Sequence, residues 1–310
     1  MKILIVGCGI IGTIYGWALK EAGFDVVHFV RKGKTETLSV EVTLDMLDER
    51  KNHDKNNVTG YRLDCIDSIA QDDLLDYVIV PTNSYQVTEA IKTIYNQSPR
   101  SFFVIMSSNW EGTKNIDHVL PKNQYMLAYP DGGGTIKEGL YWTNLGSEIH
   151  ISAPNVENEQ AVKELIEIFK RADIKADIQE NMVHWLWLHN AMSVPLGVAF
   201  MKYKDVKLFL KDKETVKKGF YATKEVLELC KLRGVDVSKY PETSTFKYPF
   251  RVFYILFKLL FRFNKSMQRF TAHAATSIQE VKTNYTQMMN TAKNLNMEMP
   301  SMTEIGAYLL

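Results

Sequence analysis

The N-terminal stretch from residue 2 to residue 12, Lys-Ile-Leu-Ile-Val-Gly-Cys-Gly-Ile-Ile-Gly, restricts the possible folds more than any other part of the chain. Ile3 to Val6 is an aliphatic run long enough for a buried strand and too short for a helix. It leads into Gly7, Gly9 and Gly12, spaced G-x-G-x-x-G. An amphipathic stretch with Ile14, Trp17, Ala18 and Leu19 follows, and Gly23 marks its stop. Strand, glycine turn and helix in that order are what a dinucleotide-binding unit requires. Gly7 permits the tight turn, Gly9 lets the backbone approach a pyrophosphate, and Gly12 lets the helix lie close on the strand. The helix N-terminus then offers free amides and the positive end of its dipole to phosphates. The loop backbone at Gly7, Cys8, Gly9, Ile10, Ile11 and Gly12 is the expected contact.

A chain of 310 residues, 45% hydrophobic and 24% charged, has material for two globular domains. A net charge of +1 supplies no global field for nucleic acid, and no nucleic-acid partner is expected. Cys8, Cys65 and Cys230 lie far apart in sequence, with no C-x-x-C pair and no metal-ligand spacing. That pattern argues for a reducing compartment and against a disulfide framework or a metal site. A strand beginning at residue 2 leaves no room for a signal peptide, and no apolar run is long enough to span a bilayer. A cytoplasmic protein without a transmembrane segment is the expectation.

Residues 25–30, Asp-Val-Val-His-Phe-Val, read as the second strand, followed by Arg31-Lys-Gly-Lys34. An NAD-preferring site places an acid near the end of this strand to accept from the ribose 2′-hydroxyl. Here Arg31, Lys32 and Lys34 stand instead, and their cations suit a 2′-phosphate, so NADP is the expected cofactor. The polar stretch 45–60 reads as an exposed loop. Strands follow at 76–81, 102–106 and 124–128, with a helix from about 87 to 95. The loops at 82–86 and 107–112 leave strand ends where a doubly wound sheet holds the nicotinamide half of its ligand. Asp131-Gly-Gly-Gly134 reads as a mobile or closely packed turn, 139–151 as a strand pair broken at Gly146, and 156–172 as an amphipathic helix.

Beyond about 180 the period is helical throughout. The expected class is therefore α/β: a Rossmann-type doubly wound domain over 1–178, then an all-helical substrate or dimerisation domain over 179–310. Residues 182–195 are apolar nearly all round, as in a buried helix, and further helices are expected at 212–233 and 266–295. Between them, Arg251, Lys258 and Arg262 share one face of an aromatic helix over 248–263. Packing on the core or on a second copy in a homodimer, lining a pocket, and shallow contact with a membrane surface are all compatible with that pattern.

A dinucleotide-binding domain, an all-helical domain after it, and arginine at the end of the second strand together resemble the ketopantoate reductase family. Its members pass hydride from NADPH to the ketone of 2-dehydropantoate. The resemblance implies that Gly7, Gly9 and Gly12 form the nucleotide loop and that Arg31 contacts the 2′-phosphate. It implies that Asn109, in Ser-Asn-Trp-Glu-Gly, lies beside the nicotinamide and that Asn190 binds substrate. Glu280, in Gln-Glu-Val-Lys, matches a late glutamate that reaches cofactor and active site. Asn83 takes the cofactor-side position where the family has a lysine after the third main strand. Aligned on Asn190 and Pro195, the family's catalytic lysine falls on Leu186, and a second substrate asparagine falls on Val194.

Ketone reduction leaves an alkoxide that must be protonated or stabilised as it forms, and general acid catalysis is typically worth about 10²–10⁴-fold. Leucine does neither. Residues 186, 190 and 194 share one helical face, so the expected carbonyl substrate is less charged and more apolar than ketopantoate. Replacement acids are His189, His184, Glu280 and Tyr85, and the expected catalytic set is Asn190, Glu280 and His189. The other expectations are a non-catalytic NADPH-binding sensor or partner subunit, and an opine-type or other 2-hydroxyacid dehydrogenase. The latter usually wants an arginine or a His–Asp pair at its substrate, and no such pair shows by spacing.

Overall fold

The computed structural model describes residues 1–50, 56–70 and 73–309, with the backbone alone at 270 and 272–276. The chain divides into two compact units, 1–108 with 112–182, and 109–111 with 183–310.

Among the described residues, the first unit is built on a ten-stranded sheet. Its strands are β1 (Lys2–Val6), β2 (Asp25–Phe29), β3 (Glu41–Asp48), β4 (Asn56–Arg62), β5 (Cys65–Ile66), β6 (Tyr77–Val80), β7 (Phe102–Ile105), β8 (Tyr125–Lys137), β9 (Leu140–Ser152) and β10 (Lys175–Gln179). Neighbouring strands β5-β2-β1-β6-β7-β8 are all parallel, with Ile3 opposite Val26 on one side and Tyr77 on the other. β1, β6 and β7 are short aliphatic or aromatic runs buried along nearly their whole length, as strands covered on both faces must be. The helices α1 (Ile10–Glu21), α2 (Thr35–Leu38), α3 (Ser84–Tyr95), α4 (Lys114–Asp117) and α5 (Glu159–Arg171) connect them. Ile14 and Leu19 of α1 and Leu165 and Phe169 of α5 are fully buried in the same core as Ile3 and Ile5. The strand order reverses at β1, which puts the glycine turn where such sheets bind ligands.

Three expectations for this unit fail. The stretch read as an exposed loop at 45–60 holds the end of β3 and most of β4, with 51–55 outside the described residues. Val42, Leu44 and Met46 are buried while Glu41 and Thr43 face out, so the polar residues there mark one face of a strand. Asp131–Gly134 is no turn but the middle of β8, and 139–151 is one strand paired with β8, β3 and β10. The close approach is real: a Cβ on Gly134 would run into the Trp142 carbonyl across the β8–β9 ladder.

The second unit is helical: α6 (Met182–Phe200), α7 (Val206–Lys211), α8 (Lys213–Leu232), α9 (Phe250–Phe263), α10 (Lys265–Thr276), α11 (Ile278–Asn294) and α12 (Pro300–Gly306). The single helix expected over 266–295 is interrupted at Ser277, whose backbone (φ −99°, ψ 42°) leaves the helical region. Pro195 lies inside α6, where it withholds one backbone donor. Phe220 of α8 anchors an aromatic core, 4.7 Å from Phe253 and 5.8 Å from Phe246 between ring centroids. The aromatic side of α9 thus faces inward. Among the described residues no helix is long and apolar enough to cross a membrane.

Candidate functional site

The glycine turn has the geometry each glycine was expected to serve. Gly7 sits at φ +90°, a conformation L side chains rarely adopt, and its amide donates to the Phe29 carbonyl at 2.8 Å. Gly9 is the N-cap of α1 with ordinary extended backbone (φ −73°), and a Cβ built on it meets no protein atom within 4 Å. The space over that position is open. Gly12 is the opposite case, since its Cβ would lie 3.0 Å from the Gly7 carbonyl oxygen and 3.1 Å from Ile5 Cγ2. No side chain caps α1 and its first turn has no acid, so the amides of Ile10, Ile11 and Gly12 retain their affinity for an anion.

The turn is braced from beneath. His28 Nδ1 is 2.9 Å from the Gly7 carbonyl and Nε2 is 2.9 Å from the Tyr61 hydroxyl. A carbonyl only accepts, so Nδ1 carries a proton, and in the neutral ring Nε2 accepts from the Tyr61 hydroxyl. Burial pushes the imidazole below its ordinary range, opposed by the bond to Gly7. Gly16 makes room for the pair: a Cβ there would lie 2.6 Å from the Tyr61 oxygen. The Tyr141 hydroxyl donates to the Cys8 carbonyl at 3.1 Å.

A histidine held neutral contributes stability that is complete above its unfolded pKa of about 6.5 and is lost as pH falls below it. Lowering pH from 7.5 to 5.5 should therefore cost the native protein up to about 1.4 kcal/mol more than the His28→Gln variant, whose amide still reaches Gly7 but binds no proton. Parallel thermal-unfolding curves at the two pH values would reveal no reliance on neutral His28 if the two proteins lost stability equally.

Arg31, Lys32 and Lys34 are exposed at the end of β2, around Gly33 (φ +74°), and the buried Thr35 hydroxyl beside them has no partner. Asp67 accepts from the Gly33 amide at 2.7 Å. In the loop after β6, Asn83 caps α3 by position only, and its Nδ2 donates to the Tyr85 hydroxyl at 2.9 Å. The flanking Thr82 and Ser84 hydroxyls are buried without partners, a condition a bound polar ligand relieves. The cysteines, distant in sequence, are not all distant in space: Cys8 Sγ lies 3.6 Å from Cys65 Sγ. Both are free thiols, and burial with the neighbouring sulfur pushes Cys8 well above the usual thiol range.

The second unit holds the remaining expected residues. Asn109 is buried beside Trp110, whose fully buried indole donates to Thr291 Oγ1 at 2.9 Å. On α6, Asn190 is buried, as are Leu186 and Val194 on the same face. His189 stacks on Trp185 with centroids 5.2 Å apart and is half-buried, and Glu280 occupies the first turn of α11. His184 stacks on Trp187, and burial with the charge of Arg233 holds its imidazole below the ordinary range. Sequence reasoning misses Arg233. Its guanidinium lies 3.3 Å from the Trp187 ring centroid and 4.6 Å from that of Trp110, and it donates to the Trp110 carbonyl at 3.0 Å. Burial lowers it to about 10, which leaves it cationic at neutral pH. One residue before Gly234 at a helix end, it reads in sequence as a solvated C-terminal cation. Among the described residues no group of three His, Cys, Asp or Glu side chains is placed to hold a metal ion.

A parallel sheet that reverses at a glycine turn with open space above it defines a Rossmann-type domain, here with an all-helical unit after it. Residues 3–151 match the family described as ketopantoate reductase PanE/ApbA, so over that span the chain is similar to this family. The 2-dehydropantoate 2-reductase of Pyrococcus abyssi is 24% identical over 203 residues, 64% of this chain and 63% of that protein. Its counterpart in Pyrococcus horikoshii is 25% identical over 206 residues, with the same two coverages. The matches thus span less than two thirds of either relative's length. Among solved structures, D-mandelate dehydrogenase with NADH and anilino(oxo)acetate superposes with a TM-score of 0.76 at 14% identity, over 100% of this chain and 97% of that one. A 2-dehydropantoate 2-reductase from Geobacter metallireducens gives 0.74 at 13%, over 100% and 99%.

Proposed function

We propose that the protein is an NADPH-dependent oxidoreductase of the ketopantoate reductase superfamily that acts on a carbonyl substrate more apolar than 2-dehydropantoate. The observation that carries the cofactor is the cradle over Gly9, open to 4 Å, with cations at the end of β2. The backbone of residues 7–12 binds the pyrophosphate, Arg31 with Lys32 and Lys34 takes the 2′-phosphate, and Asn83 and Asn109 serve the nicotinamide half. When bound, the reduced nicotinamide supplies hydride. Asn190 orients the substrate carbonyl by hydrogen bonding, and His189 or Glu280 delivers the proton that the alkoxide requires. Leu186 and Val194, both buried, present methyl groups where a family site presents an ammonium and an amide. An anionic substrate loses its cationic partner there, and an apolar one gains contact.

Arg31→Ala should weaken NADPH about tenfold to a hundredfold, the worth of one or two charge-assisted hydrogen bonds, and leave NADH within about twofold. Fluorescence titration with both nucleotides decides, and equal weakening of the two would remove the 2′-phosphate assignment. For the reaction, NADPH oxidation against keto acids, neutral ketones and aldehydes should show turnover highest with apolar ketones. Tight NADPH binding with no turnover on any of them would favour the sensor reading, which the leucine at 186 makes the natural second.

A further inference from the structure

We infer that α9 lies flat on an anionic lipid surface. Its inner side is anchored: Phe250, Phe253 and Phe261 are buried, and Phe253 packs 5.2 Å from Phe257 within the aromatic core of the helical unit. At about 100° per residue, Val252, Ile255, Leu256, Leu259, Leu260 and Phe263 fall on a continuous arc of the opposite side. Every one of these six is exposed, from 41% for Val252 to 73% for Phe263. Monomeric proteins rarely leave so long an apolar stripe in water, because each side chain there forgoes its transfer free energy.

Charge selects the occupant. Arg251, Lys258 and Arg262 are exposed in a row along one edge of the arc. From residue 243 to residue 279 the sequence contains six lysines and arginines and no carboxylate, in a chain whose net charge is only +1. A second copy laid on this face about a two-fold axis would bring cations toward cations, with no acid in the segment to pair them. A bilayer bearing acidic headgroups meets both halves of the pattern. The apolar arc enters the acyl boundary and the cations stay at headgroup level. The helix has 14 residues and ends at Asn264, so it lies on the surface and does not cross.

The full-length protein should co-sediment with vesicles of phosphatidylglycerol and phosphatidylcholine, and far less with phosphatidylcholine alone, with binding reduced by salt. Replacing Arg251, Lys258 and Arg262 together by Gln should lower partitioning on the order of a hundredfold, at roughly fivefold per cation. Leu259→Glu, on the exposed arc, should lower it on both vesicle types. A readout that needs no disruptive variant is Phe263→Trp, whose added emission should shift to the blue with anionic vesicles and be quenched by brominated acyl chains. Sedimentation velocity runs alongside. A dimer that Leu259→Glu splits, together with no vesicle binding, would show the face to be a self-contact and overturn the inference. So would vesicle binding indifferent to the three cations, or an emission from the introduced indole that lipid leaves unmoved.

Discussion

Gly9→Val should abolish useful nucleotide binding while leaving the protein as stable as before, and Gly12→Val should do nearly the reverse. The contrast follows from what a side chain meets at each position. At Gly9 the backbone conformation is open to any L residue and the Cβ enters empty space, so the fold has nothing to lose. In the proposed function that space holds the phosphates. A branched side chain there displaces the charge-assisted hydrogen bonds of the loop amides, each worth about 1.5–3 kcal/mol, so affinity should fall on the order of a hundredfold or more. At Gly12 the Cβ would press on the Gly7 carbonyl oxygen and Ile5 Cγ2 at 3.0 and 3.1 Å. The branches of valine add to that overlap, and overpacking of this kind costs about 1–3 kcal/mol. Urea unfolding and NADPH titration on the two variants separate the effects. If Gly9→Val bound NADPH normally, the cradle would have another purpose.

The sequence carried the parallel core of the first unit because its strands announce themselves. Ile3–Val6, Tyr77–Val80 and Phe102–Ile105 are buried on both faces, and their runs of apolar residues have no other use in a short segment. The β3–β4 pair was invisible for the converse reason. With one face exposed, β4 is mostly polar, and a strand such as Asn-Asn-Val-Thr-Gly-Tyr-Arg has too few apolar residues to register as alternation. The glycines at 132 and 134 misled in a different way. Glycine in β8 answers a crowding across the ladder, at the Asn144 and Trp142 carbonyls, that only the folded sheet creates.

The half of the site proposed for the nucleotide can be located in the sequence because its residues are local: one turn and one helix hold all six loop residues, and the next strand ends at the cations. What supports that half cannot. His28 looks like a polar interruption of β2, and nothing in the sequence ties it to Tyr61, 33 residues on, or to the Gly7 carbonyl. Arg233 is similar: its clamp between Trp110 and Trp187 joins three segments that only the tertiary fold assembles. The aromatic helix shows the limit of periodicity itself. Its pattern located the cations, but both arcs are apolar, and which arc is covered depends on Phe220 and Phe246 elsewhere in the chain.

Leu186→Lys should convert substrate preference at a measurable cost in stability. Leu186 is fully buried on the face it shares with Asn190 and Val194. An ammonium placed there is desolvated, so its folded pKa falls below the unfolded value of about 10.4. A lysine depressed in this way costs the full pKa difference below its folded pKa, where both states carry the proton, and the cost fades as pH rises from the folded to the unfolded pKa. Stability of the variant should therefore rise as pH is raised from 7 toward 10, and the deficit at pH 7 should be about 1.4 kcal/mol for each unit by which the pKa is lowered. In return the buried ammonium gives a substrate carboxylate a cationic partner and the developing alkoxide a proton donor. The rate of NADPH oxidation with 2-dehydropantoate should then increase by about 10²–10⁴-fold over the native protein. Turnover with neutral ketones should rise less, because they gain the proton donor but bring no carboxylate for the ammonium to hold. A variant that showed the pH-dependent deficit but no gain with 2-dehydropantoate would mean that position 186 does not face the reacting carbonyl. The roles assigned to Asn190 and Val194 would then fail with it, and the nucleotide assignment, which rests on other residues, would stand.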